Sequence, residues 1–456
     1  MLDKSAKKCC RALIIRHFYG GAGMPFTVTE IRKNLFSVFS SLLERRDEFL
    51  TNPASDFTRK KKISFEQTML FPMIAGADNV ATELLDQFGE EDLPLPSAMI
   101  QRRNQIKKEA FKELFYQFNN TIPATKTFHG YRLIACDGTR LNLPYNPTDN
   151  STLVNNIEGR KGFNQAHLNA LYDILNDLFI DVEIQGMNEM DENGAFCRFL
   201  DKHSKSDSSK TIYVADRGYA SFNNYAHALR NNQSFLIRMK ETDALNLCPS
   251  QPHIMDGAYV DENISIYVGR RRKKSNWKYE NYHFIRKRHR YDFIAPGADD
   301  IDVLSFRVLK FPLSSGKMEY IATNLPADEF SLKMIKDLYN LRWGEETAFR
   351  HLKYAGNMVH IHSIKPDFLI QEIYGKLTLY NFSSCITKAL TKRETSKTAY
   401  TYNFNHTQMQ KFVRLFLIER ILNLEKLMNK FLVAVRPGRK FKRIMRRQSA
   451  KPLSYR

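Results

Sequence analysis

The stretch YNLRWGEETAFRHLK, Tyr339 to Lys353, decides how this sequence is read. It holds good helix formers and no proline; Ser331 stands ahead of it as a cap, and Gly356-Asn357 supplies a stop. One helix is therefore expected through residue 355. At about 100° per residue, Tyr339, Arg342, Glu346 and Lys353 fall at about 0°, 300°, 340° and 320°, with Arg350 beside them at about 20°. Leu338, Leu341, Ala348, Phe349 and Leu352 fill the sector from roughly 180° to 280°, which can bury against a sheet. The polar stripe offers what a metal and a phosphate need together. A carboxylate takes a hard divalent cation, arginine clamps phosphate with two parallel hydrogen bonds, and lysine adds a point charge. A solvated face with ordinary ion pairs has the same composition, so the choice rests on what lies upstream.

Working upstream, the apolar period is that of strands. Residues 131–136 form a short apolar strand, after which Gly138 is expected to turn the chain and leave Asp137 at the strand's end. Residues 167–174 and 178–184 read as two more strands, with Asn176-Asp177 as the hairpin turn. A helix follows at 191–203, with Phe196, Phe199 and Leu200 on one side. Residues 211–215 are continuously apolar, as in a strand covered on both faces, and end at Asp216. Ser221 starts a helix through Leu229, and residues 235–239 make a fifth strand. Three antiparallel strands, a helix, a strand, a helix and a strand is the order of an RNase H-like fold. Strands one and four are neighbours there, which would bring Asp137 and Asp216 together.

The spacing of Tyr339, Arg342, Glu346 and Lys353 resembles the Tyr-Arg-Glu-Lys signature of DDE transposases of the insertion sequence four family. Asp137-Gly138-Thr139 and Asp216-Arg217-Gly218-Tyr219 resemble two further signatures of that family, in the right order, and the likeness runs over residues 56–384. It implies that Asp137, Asp216 and Glu346 are catalytic and hold two Mg²⁺ ions, with Mn²⁺ able to substitute. It also implies that the helix bearing Glu346 packs across the sheet to complete the site, and that Arg342 and Lys353 grip a phosphate with Tyr339 beside them. Glu345 is a carboxylate too, but at about 240° it falls in the apolar sector. Glu346 is accordingly the expected ligand, and Glu345→Gln is expected to leave most cleavage intact.

Residues 240–324 are more than that core needs. They read as β structure, with strands at 263–268, 279–285, 303–309 and 319–323, and the resembling family carries a β-rich insertion here. This segment is densely basic. Arg271, Arg272, Lys273, Lys274 and neighbouring cations are interleaved with Trp277, Tyr279, Tyr282, Phe284 and Tyr291, a mixture that tracks phosphates and stacks on unpaired bases; alternatively the aromatics face the segment's own core. The fold class is thus α/β, an RNase H-like core of mixed sheet and helices interrupted by a β-rich insertion, with helical N- and C-terminal regions. The corresponding division is 1–125 (helical, DNA-binding), 126–239 (first part of the core), 240–324 (insertion), 325–390 (second part, with the catalytic helix) and 391–456 (helical, with a basic tail).

In the N-terminal region Lys4, Lys7, Lys8 and Arg11 precede helical material at 29–50, and a basic turn holds Lys60, Lys61 and Lys62. After Pro94 and Pro96, Ser97 can cap a helix carrying Arg102, Arg103, Lys107 and Lys108 with Ile106, Phe111, Leu114 and Phe115. Such a helix either docks on DNA or packs on its neighbour. Beyond the central stretch, helices are expected at 366–388 and 406–431, then a basic tail from residue 436.

Lysine and arginine total 69 against 49 acidic residues, a net charge of +20, which favours a polyanionic partner. An apolar run of about 18 residues is missing, which excludes a helical membrane span and leaves double-stranded DNA ahead of a membrane surface. The six cysteines show no metal-ligand spacing. The sequence is therefore expected to encode a cytoplasmic, nucleoid-associated prokaryotic transposase that cleaves element ends and joins them to target DNA, as a homodimer in the DNA complex. An RNase H-like nuclease without joining activity, or an inactive DNA-binding descendant, are the alternatives.

Overall fold

The computed structural model of the protein describes residues 24–59, 62–155, 161–204, 210–272, 276, 278–313, 316–392 and 402–434. Lys4, Lys7, Lys8, Arg11, Lys60, Lys61, Lys273, Lys274, Trp277 and the tail from residue 436 lie outside the described residues.

The N-terminal helices carry clear start signals. Helix α1 (Val28–Glu44) begins with a capping box between Thr27 and Glu30, and α2 (Phe65–Ile74) with one between Ser64 and Gln67. The single basic helix expected from Ser97 is two: α3 (Pro96–Asn104), which starts from Leu95 with Pro96 in its first turn, and α4 (Lys108–Asn120). The chain breaks between them because Ile106 leaves the helix to bridge Leu50. Arg102 and Arg103 are buried. Arg102 lies over the Phe57 ring, and Arg103 bonds Gln371 at 3.1 Å, the Phe368 carbonyl at 3.2 Å and Glu372 at 3.4 Å. These two arginines therefore follow the packing alternative.

The central sheet begins with β1 (Arg132–Leu143), β2 (Leu153–Val154), β3 (Phe163–Asp173) and β4 (Leu178–Gly186). Helix α5 (Glu192–His203), strand β5 (Thr211–Ala215), helix α6 (Phe222–Arg230) and strand β6 (Ser234–Met239) follow. Strand β3 pairs antiparallel with both β1 and β4, while β1–β5 and β5–β6 are parallel. The order β4-β3-β1-β5-β6 is that of an RNase H-like core. One expectation is corrected here: β1 does not stop at Asp137. It runs on through Gly138 to Leu143 against β3, and what ends at Cys136 is its pairing with β5. Gly138 serves closeness rather than a turn, since a Cβ there would run into the His167 ring and the Glu192 carboxylate.

The insertion extends this same sheet. Strands β7 (Val260–Gly269), β8 (Tyr282–Phe284), β9 (Ile301–Pro312) and β10 (Met318–Thr323) continue it in the order β6-β10-β9-β7-β8, with β10 antiparallel to β6. The strand expected at 279–285 shrinks to three residues, because Asn281 takes φ +52° and turns the chain just before it. The central stretch is also corrected. It comprises α7 (Leu332–Leu341), α8 (Trp343–Arg350) and a π turn (His351–Ala355). Bonds from Arg342 N–H to Tyr339 O and from Glu345 N–H to Arg342 O tighten the first junction, and Gly356 N–H bonds His351 O across the wide second one. Helix α9 (Pro366–Ala389) is buried over most of its length, and α10 (His406–Leu417) ends well before residue 431. Leu432–Ala434 instead pairs antiparallel with Tyr402–Phe404.

Alternation along the strands sorts side chains onto two cores. Leu133, Ala135, Ile212 and Val214 join the N-terminal helices, α7, α8 and α9 on one face. Ile134, Cys136, Tyr213 and Ala215 join α5, α6 and the insertion on the other.

Candidate active site

The parallel register Cys136↔Ala215 places the next residues of the two strands, Asp137 and Asp216, side by side. By alternation both follow Ala135 and Val214 onto the face against which α8 packs. Phe349 of α8 is buried there with its ring 5.5 Å from Phe179, which in turn lies 4.9 Å from Tyr380 of α9. Those contacts fix the helix that carries Glu346.

Each acid is held differently. Asp137 Oδ1 accepts from the Gly138 N–H at 2.8 Å, and Asp216 Oδ1 from the Gly218 N–H at 2.7 Å. Glu346 Oε1 accepts from Arg342 at 2.9 Å, while the same guanidinium lies 3.8 Å from Asp137 Oδ2. Arg342 is thus an inward-facing cation between two of the acids. Burial works against its charge, yet Tyr339, Glu346 and Asp137 hold its pKa above the ordinary arginine value. Burial pushes the Asp137 carboxyl up to about 6; the charges of Asp216 and Glu346 add to the rise, while the Gly138 N–H and Arg342 oppose it.

The helical period puts Glu345 on the apolar face, and it is fully buried. Its surroundings are nevertheless not apolar. Burial raises its pKa well above the carboxylate range and the charges of Asp137 and Glu346 push the same way, while Arg342 and the Asp137 backbone N–H oppose the rise. Burial lifts the Tyr339 hydroxyl to about 12, against the Arg342 guanidinium beside it. Carboxylate oxygens are what a hard divalent cation takes, but no three of these acids bring oxygens within 4.8 Å of one another, and the Arg342 guanidinium stands between Asp137 and Glu346.

The profile of the transposase DDE domain family matches residues 128–382. The chain belongs to that family. The matched segment takes in the sheet, the insertion and the helix bearing Glu346, so this DDE domain spans more than half of the sequence. No curated protein matches it. A solved structure similar to it is the piggyBac transposase synaptic complex with hairpin DNA, at 10% identity and a TM-score of 0.45, covering 87% of this chain and 84% of that one.

Not every residue singled out in the sequence comes to the acids of the DDE domain. Arg350 is exposed at the end of α8, and Lys353 is half-buried in the π turn, where burial lowers its pKa. Tyr339 packs in the core. Arg271 and Arg272 are exposed just past β7, four strands across the sheet from β5 and at the opposite end of the strands from Asp216, since the register sets Ala215 level with Glu262 of β7. Arg271 bonds the Gly297 carbonyl at 2.6 Å and Asp299 at 3.0 Å, and Arg272 lies over Phe284. Tyr291 is buried, as the alternative for the aromatics held.

Sequence reasoning passed over Trp343, which is 41% exposed beside Arg342; its place within the central motif was the available signal. It also missed Cys197, His227 and Asp292 on the other face of the sheet, whose ligand atoms lie within 4.8 Å of one another. These groups already answer each other. Asp292 accepts from Arg290, Asn223 and His227, whose bonds outweigh its burial and hold its pKa down to about 2, and His227 Nδ1 meets Asp201 at 2.8 Å. The cluster ties the insertion to α5 and α6.

Proposed function

We propose that this chain binds the ends of an insertion sequence, cleaves DNA there by metal-dependent phosphodiester hydrolysis, and joins the 3′ ends to target DNA. The observation that carries the proposal is the Cys136↔Ala215 register, which pairs Asp137 with Asp216 on the face where α8 presents Glu346. These three residues would hold two Mg²⁺ ions, for which Mn²⁺ can substitute; such a pair, when bound, activates an attacking oxygen and stabilises the leaving one. Gly138 and Gly218 each fix one oxygen of their aspartate, and the other oxygen of Asp137 faces the Arg342 guanidinium at 3.8 Å. Arg342 orients Glu346. Arg350 at the surface and Lys353 behind it would draw the phosphate of the cut strand to the acids.

The net charge of +20 and the exposed Arg271 and Arg272 support double-stranded DNA as the partner of the insertion; Lys273, Lys274 and Trp277 would add to that contact by their chemistry. Two element ends must be held together, which calls for a homodimer in the DNA complex. The expected setting is the prokaryotic cytoplasm.

The test is cleavage of labelled DNA carrying the terminal repeats of the flanking locus, with Mg²⁺ or EDTA, by the wild type, Asp216→Asn and Glu346→Gln. Metal-dependent nicking at the repeat ends, lost in both variants and followed by joined products, is the expected result. Cleavage without joining would leave a nuclease. Tight binding with no cleavage under any divalent metal would refute the catalytic proposal.

A further inference from the structure

We infer that Cys197, His227 and Asp292 form a binding site for one borderline divalent cation, zinc above all, which staples the insertion to α5 and α6. The inference is independent of Asp137, Asp216 and Glu346 and concerns the other face of the sheet.

Three observations carry it. First, the ligand geometry is in place. Among the described residues, Cys197 Sγ, a ring nitrogen of His227 and a carboxylate oxygen of Asp292 are the group whose atoms all lie within 4.8 Å of one another, a spacing that one ion at roughly 2.0–2.3 Å from each can bridge. Thiol, imidazole and carboxylate together are a zinc donor set rather than a magnesium one. Second, His227 stands between two carboxylates, with Nδ1 2.8 Å from Asp201 and Nε2 3.0 Å from Asp292. A neutral imidazole carries one N–H, so it answers one acid and turns a lone pair to the other. An ion on Nε2 resolves this. Nδ1–H then donates to Asp201, the outer carboxylate that fixes the tautomer of a metal-bound histidine, and Asp292 becomes a ligand. Third, the surrounding groups suit a cation. Asn223 Nδ2 donates to Asp292 at 3.0 Å and to Cys197 at 3.4 Å, orienting both. Arg290 bonds Asp292 at 2.9 Å but shares its charge with Asp191 at 3.3 Å, so Asp191, Asp201 and Asp292 outnumber it. Cys197 and His227 are buried while Asp292 is exposed, which gives an ion a way in.

The competing role is a hydrogen-bonded cluster completed by a second proton on His227. The two differ in metal uptake, which is measurable without turnover. The full chain is stripped with a chelator and titrated with Co²⁺ in excess Mg²⁺, following the near-ultraviolet sulfur-to-cobalt charge-transfer band that a thiolate ligand gives. Melting is recorded with and without Zn²⁺.

The expected result is that the wild type develops the band with one equivalent of Co²⁺, loses it when Zn²⁺ is added, and melts higher with Zn²⁺. Folded Cys197→Ser should show neither the band nor the rise. Should that variant not fold, Asp292→Asn, altered at an exposed position, should need at least ~10-fold more Co²⁺, since even the outer partners of metal ligands are worth about that much. Asp216→Asn should behave like the wild type. A wild type without the band, or a band that survives unchanged in a folded ligand variant, overturns the site. So does a band lost in Asp216→Asn, which would place the ion at the other acids.

Discussion

Replacing Asp137 by Asn should stabilise the metal-free protein at neutral pH and destroy its cleavage activity. Burial and the charges of Asp216 and Glu346 raise the Asp137 carboxyl from an ordinary 3.8 to about 6. At about 1.4 kcal/mol per pKa unit, the ionised form is disfavoured in the folded state by roughly 3 kcal/mol. The sign follows from proton counting. Between about pH 4 and 6 the folded state binds more protons than the unfolded one, so stability falls as pH rises. The penalty is full above pH ~6 and absent below pH ~4. Asn keeps an oxygen to accept from the Gly138 N–H and never ionises, so it escapes the penalty.

With an unfolding entropy of about 2.1 cal/mol/K per residue, a cooperative chain of 456 residues gains about 1 °C per kcal/mol. Asp137→Asn should therefore melt about 3 °C above the wild type at pH 7.5 in EDTA and level with it at pH 4. Differential scanning calorimetry at the two pH values measures this. A variant that gains nothing at pH 7.5, or gains equally at both, would refute the account of a site strained by its own charge.

Gly138→Ala should cost about 1–3 kcal/mol or more, seen as a lower melting temperature, because its Cβ must displace His167 and Glu192 between two paired strands. Arg103→Ala should cost about 3–5 kcal/mol, since it leaves Glu372 buried without its cation; calorimetry that finds a neutral effect would show that the pair is not what docks α3 on α9. Asp292, held at about 2, contributes stability that is complete above its unfolded value and is lost as pH falls through about 2. Amide protection at 286–294 should drop over that range, and Asp292→Asn should lower it already at neutral pH. Exchanging Arg271 and Arg272 together for Ala should weaken DNA binding regardless of sequence and lower the slope of log K against log salt by about 2.

Much of the architecture was legible because it is written in local period. The run at 211–215 is a strand to the residue, the hairpin closes at Asp177 in the left-handed region, and Ser331 and Ser221 cap the helices they precede. The order of these elements was enough to predict that Asp137 and Asp216 meet.

Other features were not written locally. Gly138 looks like a turn, yet what demands a glycine is His167 on the neighbouring strand. Arg102 and Arg103 suit docking on DNA or packing on a neighbour alike, and the acid that decides for packing at Arg103 comes from a segment 269 positions away. The insertion strands were visible one by one, but not that they prolong the same sheet and carry Arg271 to the end of it opposite the acids. Glu345 shows the division most clearly. The sequence determined the direction in which its side chain leaves the helix, because 100° per residue is a property of the backbone alone. Only the tertiary structure decided what lies in that direction, because the end of β1 reaches the helix through contacts that no local period encodes.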